Sequence, residues 1–235
     1  MRRQSKDGGV MNVVAMHGQS DPFAEALRHR LQARGEAAVR SLVRNGFSAR
    51  FLPAREEAVS AVLELVPAGA QVGLGGSLTL RQLNLPAILQ ERGHELVNHW
   101  IAGLSPEDNL RVRREQLSAT VFLTSTNAIT LQGELVNVDG IGNRVGAMMF
   151  GPGKVVVVAG ANKIVRDVAA ARERIRELAA PVNARRLGVP TPCAELGYCV
   201  DCDRPERICR VVTILERRPA LTALEVLIVG EELGL

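Results

Sequence analysis

The run KVVVVAG at positions 154–160 limits the fold more than any other stretch of the chain. Consecutive valines favour extended backbone, because branching at Cβ suits the pleated surface. A strand apolar at successive positions has no solvent face, so it belongs inside a sheet covered on both sides. TVFLTST at 120–126 reads the same way. Two such central strands call for helices on both faces.

The segments between supply those helices. Asp21-Pro22 reads as an N-cap with proline at the first helical position. The helix that follows carries Phe23, Ala26, Leu27 and Leu31 on one apolar face and ends at Asn45-Gly46. REEAVSAVLELVP (55–67) is a helix stopped by proline, PAILQERG is a shorter one, and SPEDNLRVRREQLS (105–118) is polar-faced with Ser105 as its cap. DVAAARERIRELAAPVNARRLG is a long helix interrupted near Pro181. Further strands are expected at FSARFLP, at QVGLGG and in the closing pair RVVTILERRP and LTALEVLIVG. AITLQGELVNVD (128–139) reads as a hairpin about Gln132-Gly133. The expected fold is α/β, a Rossmann-like three-layer α/β/α arrangement with a mostly parallel, mixed sheet. Aromatics make up only 3% of a chain that is 46% hydrophobic, which suits a core of Leu, Val, Ile and Ala. No linker or repeat divides the sequence. Residues 1–20 are expected to be loosely ordered and 21–235 to form one domain, with a Cys-rich segment at 193–209.

The formal net charge is +4, and 26 of the 29 basic residues are arginine. Acids are interspersed among them and stacking aromatics are scarce, which argues against nucleic acid. An anionic small molecule fits better. No run of about 18 apolar residues is present, so no membrane span is expected. The basic start lacks an apolar stretch behind it, and the expected compartment is the cytoplasm.

Four segments have the residue types and placement for chemistry. In GLGGSLTL, a strand runs into Gly75 and Gly76 before Ser77 and Thr79 open a helix, so backbone N–H groups can face an anion. The same letters also describe a tight turn with a serine cap. TSTNAIT places Thr124, Ser125, Thr126 and Asn127 directly beyond an apolar strand, where ligands bind in open α/β sheets. GELVNVDGIGNR gathers Asn137, Asn143 and Arg144 about glycines; Arg144 has the planar fork for a carboxylate or phosphate. Glu134 and Asp139 are the carboxylates there, hence the candidate general bases or nucleophiles. GANK puts Asn162 and Lys163 at the end of the valine strand. The four histidines have no ligand spacing and are given no role, and Trp100 is read as packing.

All four cysteines, Cys193, Cys199, Cys202 and Cys209, lie within one short polar segment. In a reducing compartment disulfides rarely persist. Four thiolates can hold zinc or an iron–sulfur cluster, the C-x-x-C pair can switch redox state, or the thiols can lie idle in a loop. Their spacing does not choose.

Taken together, GLGGSLTL, the run from TSTNAIT to GANKIV, PVNARRL and PCAELGYCVDCDRPERIC resemble the lactate-utilisation (LUD) domain family, most of all its stand-alone, cysteine-bearing branch, over roughly residues 36–235. The resemblance implies a fold similar to the sugar-phosphate isomerase and CoA-transferase superfamily. It carries Gly75, Gly76, Ser77, Thr79, Asn127, Gly133, Asn137, Asp139, Gly140, Gly142, Asn143, Arg144, Asn162, Lys163 and the four cysteines as motif positions, without catalytic roles. TLRQLNL departs from the family pattern at Arg81 or Gln82 and at Asn84. The resemblance implies a part in lactate or organic-acid utilisation, with an anionic ligand between these loops and an iron–sulfur cluster on the cysteines for electron transfer, zinc being the alternative metal. An isomerase or CoA/acyl transferase on the same fold is a second expectation. A non-catalytic assembly or regulatory subunit is the third. Oxidoreductase subunits and further copies of the chain are the expected protein partners.

Overall fold

The computed structural model describes residues 21–235. The expectation for residues 1–20 lies outside them. The first helix, α1 (Pro22–Arg44), starts where Asp21 caps it, its side chain accepting from the Phe23 N–H at 3.0 Å, and stops at Asn45. Its apolar face is not used throughout. Phe23 is 75% exposed, and the buried residues begin at Leu31 and continue through Gly35, Ala38 and Leu42. Contact with the sheet requires a small residue at Gly35, where a Cβ would come within 2.3 Å of the Phe51 ring. The first turns run past the core.

The chain then gives β1 (Ser48–Leu52), α2 (Arg55–Leu65), β2 (Gln71–Leu74), α3 (Leu78–Gln82), α4 (Leu85–Glu91), β3 (Glu95–Asn98), α5 (Pro106–Glu115) and β4 (Val121–Thr124). A hairpin follows, β5 (Ala128–Thr130) and β6 (Leu135–Asp139), then α6 (Asn143–Met149) and β7 (Lys154–Gly160). Beyond it come β8 (Ile164–Val165), α7 (Val168–Arg174), α8 (Ala180–Leu187), α9 (Pro192–Leu196), β9 (Val211–Leu215) and β10 (Ala223–Val229). The expected break in the long helix lies just ahead of Pro181, as a π-helical stretch over 175–179.

Six strands form one sheet in the order β1-β10-β7-β4-β2-β3, parallel at every pairing. The antiparallel hairpin does not join it. β5 and β6 belong to a second sheet, ordered β8-β5-β6-β9, in which only β5 and β8 run parallel. Along β7, Val155, Val157 and Ala159 pack on one side of the large sheet with α1, the hairpin and α6, while Val156 and Val158 pack on the other with α2, α3 and α4. Both faces are covered, which is why the valine run needs no polar alternation. Each fully buried valine contributes roughly 1.5–3 kcal/mol of burial. The second sheet, backed by Ala171 of α7 and Ile175 of the π-helical stretch after it, covers the α1 side.

Candidate functional site

β7, β4 and β2 are neighbours in the large sheet, so the loops at their carboxyl ends lie side by side. These are the segments 161–163, 125–127 and 75–77. The stretch from β6 into α6 closes over them from the second sheet. Between the two lies a cavity of about 310 Å³, at the edge where open α/β sheets bind ligands and near the small end of ordinary ligand pockets.

Of the residues singled out in the sequence, Gly76, Ser77, Thr124, Ser125, Thr126, Asn127, Asp139, Gly140, Asn143, Arg144 and Lys163 line this cavity. Gly75 lies just behind, since a Cβ there would come within 2.7 Å of the Thr124 hydroxyl. Thr79 is fully buried and reaches the site through Lys163, 3.2 Å away. Asn137 is also buried; its side-chain oxygen accepts from the Asn127 N–H and from Arg144, while its Nδ2 has no partner. Asn162 holds the chain's last turn, accepting the Leu233 N–H at 3.1 Å. Glu134 stands apart from the cavity. Thr130 donates to its carboxylate at 2.6 Å, and Gly133 beside it (φ +85°) presses on the backbone of Ser41 and Leu42 in α1.

All the donors of the Arg144 fork have partners within the protein. Nη1 donates to Ser125 O (3.1 Å) and Asn137 Oδ1 (3.0 Å), and Nη2 to Asn127 Oδ1 (3.0 Å) and Val138 O (2.9 Å). Nε lies 3.5 Å from Asp139. The guanidinium fastens the 125–127 loop to β6 and forms part of the cavity wall. Asp139 is similarly engaged, accepting from the Val145 N–H at 3.1 Å.

Several wall residues were not anticipated. Arg113 of α5, Arg186 of α8, His99 and Trp100 all line the cavity. Arg113 donates to Asn109 and Asn143, and Arg186 donates to Asn183. The Arg81 and Arg186 guanidiniums lie 4.9 and 5.3 Å from the centre of the Trp100 ring. Burial lowers the pKa of Arg113 and, with Arg81 nearby, that of Arg186. His99 is pushed down to about 4 by burial and then by Arg113, against a hydrogen bond from Gln116, so it is neutral at pH 7. The PVNARRL segment contained Arg186, but nothing local in α5 or before it marked Arg113 or Trp100.

Lys163 is almost wholly buried. Its Nζ donates to Ser125 Oγ (3.0 Å), Thr79 Oγ1 (3.2 Å) and Thr126 O (3.2 Å). Burial, then Arg174 and Arg144, lowers its pKa to about 7.

The cysteine segment folds back onto this site. Ile208 lines the cavity and packs on Gly140, where a Cβ would be 3.2 Å from the Ile208 carbonyl. Arg210 N–H donates to Asp139 O, and Cys199 N–H to Arg176 O. The thiols themselves are dispersed. Cys199 Sγ accepts from the Asp201 N–H at 3.3 Å, Cys209 Sγ from Arg207 at 3.5 Å, and Cys193 Sγ lies 3.4 Å from Thr191 Oγ1. Among the described residues no three Cys, His, Asp or Glu side chains converge. The residue types suit a thiolate-ligated metal or cluster, but their placement here does not cradle one.

Among the described residues no helix is long and apolar enough to cross a membrane. No curated protein matches the chain. It is similar in structure to a DUF162 family protein from Deinococcus radiodurans, at 16% identity and a TM-score of 0.49, over 86% of this chain and 98% of that one. The LUD domain matches residues 35–229, well over half of the sequence, and the chain belongs to the LUD domain family.

Proposed function

We propose that the chain is a cytoplasmic protein of lactate or related organic-acid utilisation that binds a small carboxylate in the cavity between its two sheets. The observation that carries this reading is the charge of the cavity wall. Arg113, Arg144, Arg186 and Lys163 face it, with Asp139 the acidic side chain among them. Arg144 and Asp139 already hold each other and the backbone. Arg113 and Arg186 remain, each bonded within the protein only to neutral asparagine oxygens. Asp139 offsets part of the burial cost of Arg113, and no acid offsets that of Arg186. A partly buried cation with no acidic hydrogen-bond partner is costly, and an incoming carboxylate relieves that cost with charge-assisted hydrogen bonds. Neutral His99 adds a donor or acceptor without adding charge. The small volume favours acids of few carbons.

Isothermal titration of the protein with L-lactate and a short series of carboxylates tests this. Saturable binding, weakened at least ~10-fold in Arg186→Ala and Arg113→Ala, is expected for loss of one charge-assisted contact. Absence of binding across the series would remove the reading.

A further inference from the structure

We propose that Ser125 and Lys163 form a serine–lysine dyad that transfers the acyl group of a small, carboxylate-bearing ester or thioester. This rests on the anion reading only for the substrate's free carboxylate; the dyad itself stands on separate geometry.

Ser125 follows β4 and Lys163 follows β7, two adjacent parallel strands, so both side chains enter the floor of the same cavity. Nζ and Oγ are 3.0 Å apart, within reach for proton transfer. The lysine's other neighbours are Thr79 Oγ1 and Thr126 O, so its hydrogen bonds go to two hydroxyls and a carbonyl, and to no carboxylate. Buried lysines are rare without an acidic partner, and a structural role would favour one. Three surrounding features fix the pair. Arg144 fastens the Ser125 carbonyl. Gly234, at φ +68°, lies against the amine so closely that a Cβ would come within 2.8 Å of Nζ. That last turn is pinned by the Gln82 side chain, which accepts the Gly234 N–H at 2.6 Å. The charged groups that act on Lys163 are Arg174 of α7 and Arg144 of α6, and both disfavour a second cation. A neutral amine near pH 7 is therefore available as a base.

The Ser125 hydroxyl proton passes to Nζ as Oγ attacks the acyl carbon. The tetrahedral intermediate collapses, the bond to the alcohol or thiol breaks, and that leaving group takes the proton from Nζ. An acyl ester on Ser125 remains. Water then attacks it, again giving a proton to Nζ, and the acid leaves as Oγ recovers that proton. Arg113 and Arg186 hold the substrate's free carboxylate.

The test uses the full chain with 4-nitrophenyl hydrogen succinate, an activated ester bearing a carboxylate. Expected are one succinyl group per chain mapped to the peptide containing Ser125, and an acylation rate that rises with pH up to about 7 to 8. Ser125→Ala loses the adduct, and Lys163→Met slows acylation by about 100-fold or more, the usual worth of a general base. Circular dichroism and succinate titration show that each variant is folded with its cavity intact. Wild-type protein that binds succinate yet forms no adduct overturns the dyad, as does an adduct on Lys163 or one retained in Ser125→Ala. If the wild type binds no carboxylate, the anion reading falls, and 4-nitrophenyl acetate decides the dyad alone. An acetyl group on Ser125 then supports it, and none overturns it.

Discussion

Two polar regions of this molecule look alike as letters and behave differently as structure. One is the loop cluster at the carboxyl edge of the parallel sheet, where Thr79, Ser125, Asn137 and Lys163 are buried; Thr79, Ser125 and Lys163 bond one another across the fold, and Asn137 bonds Asn127 and Arg144. The other is the segment 193–209, where the thiols are half-buried and bond mainly to near neighbours in the chain. Removing a partner from the first strands a desolvated group, whereas removing one from the second exposes it to water. The difference shows that a dense polar motif gains energetic weight through burial and long-range bonding, not through its residue types.

The largest effect is expected at Arg144. Its fork bonds four groups on the 125–127 loop and β6 and pairs with Asp139, with only 12% of its side chain exposed. Arg144→Met should cost about 3–5 kcal/mol, as for breaking a buried pair, read as a fall in the urea midpoint. Arg207 is the counterpart in the cysteine segment, where it bonds Cys202 O and Asp201. Arg207→Met should cost no more than about 1 kcal/mol, being a largely local set of bonds. Equal losses would erase the contrast.

Glycines extend the contrast to the hairpin turn packed on α1, outside the cavity. Gly133 and Gly197 both have positive φ, +85° and +82°. An alanine at Gly197 meets nothing within 4 Å, so only the left-handed backbone counts against it, about 1–2 kcal/mol. At Gly133 the new Cβ would lie 2.5 Å from the Ser41 backbone, which cannot move without shifting α1. Gly133→Ala should cost about 3 kcal/mol, the conformational term plus overpacking. Thermal unfolding of the two variants side by side measures the gap.

How far the sequence reached follows the same division. β7 and β4 were legible because a strand apolar at every position has one home, the middle of a covered sheet. The loops beyond β2, β4 and β7 were legible because strand ends are where such sheets bind. The hairpin was legible as a hairpin, but alternation along β5 and β6 does not say which sheet they join. Arg144 is legible as a residue of the site, but its internal bonds are not, since its four acceptors come from positions 125–138 and only folding brings them to one point. Arg113, His99 and Trp100 carried no local signal, and Arg186 only its place in PVNARRL. They come from helices and a turn separated by dozens of residues, and they meet only at the cavity. Glu134 shared a motif with the site but faces Thr130 on the hairpin.

Acidity should separate the regions by a signed effect spread over several pH units. Lys163 titrates near 7 in the fold and at its ordinary 10.5 when unfolded. Between those values the unfolded chain holds a proton that the native chain lacks, so stability rises with pH there, by up to about 1.4 kcal/mol per unit. His99, near 4 when folded against 6.5, makes stability fall as pH drops through that lower window. Subtracting the urea curves of Lys163→Met from wild type between pH 7 and 10 isolates the lysine. A flat difference would mean that its amine is not the buried group described.

The smallest effect is expected at the cysteines, and it bears most directly on the cluster that the family resemblance implies. With no three metal-ligating side chains converging, single Cys→Ser changes should each alter stability by about 0.5 kcal/mol or less, as surface substitutions do. Cys202→Ser is the sharpest choice, because that residue shares the C-x-x-C pair with Cys199. Protein purified without oxygen should accordingly be colourless, and a chelator should leave its melting temperature unchanged. Absorption near 400 nm with bound iron, or a chelator-sensitive melt with bound zinc, would show that the segment gathers its thiolates around a metal. Ile208, on the cavity wall between Arg207 and Cys209, would then couple that metal to the carboxylate site. Carboxylate affinity would change on metal removal, and the two regions would have to be treated as one.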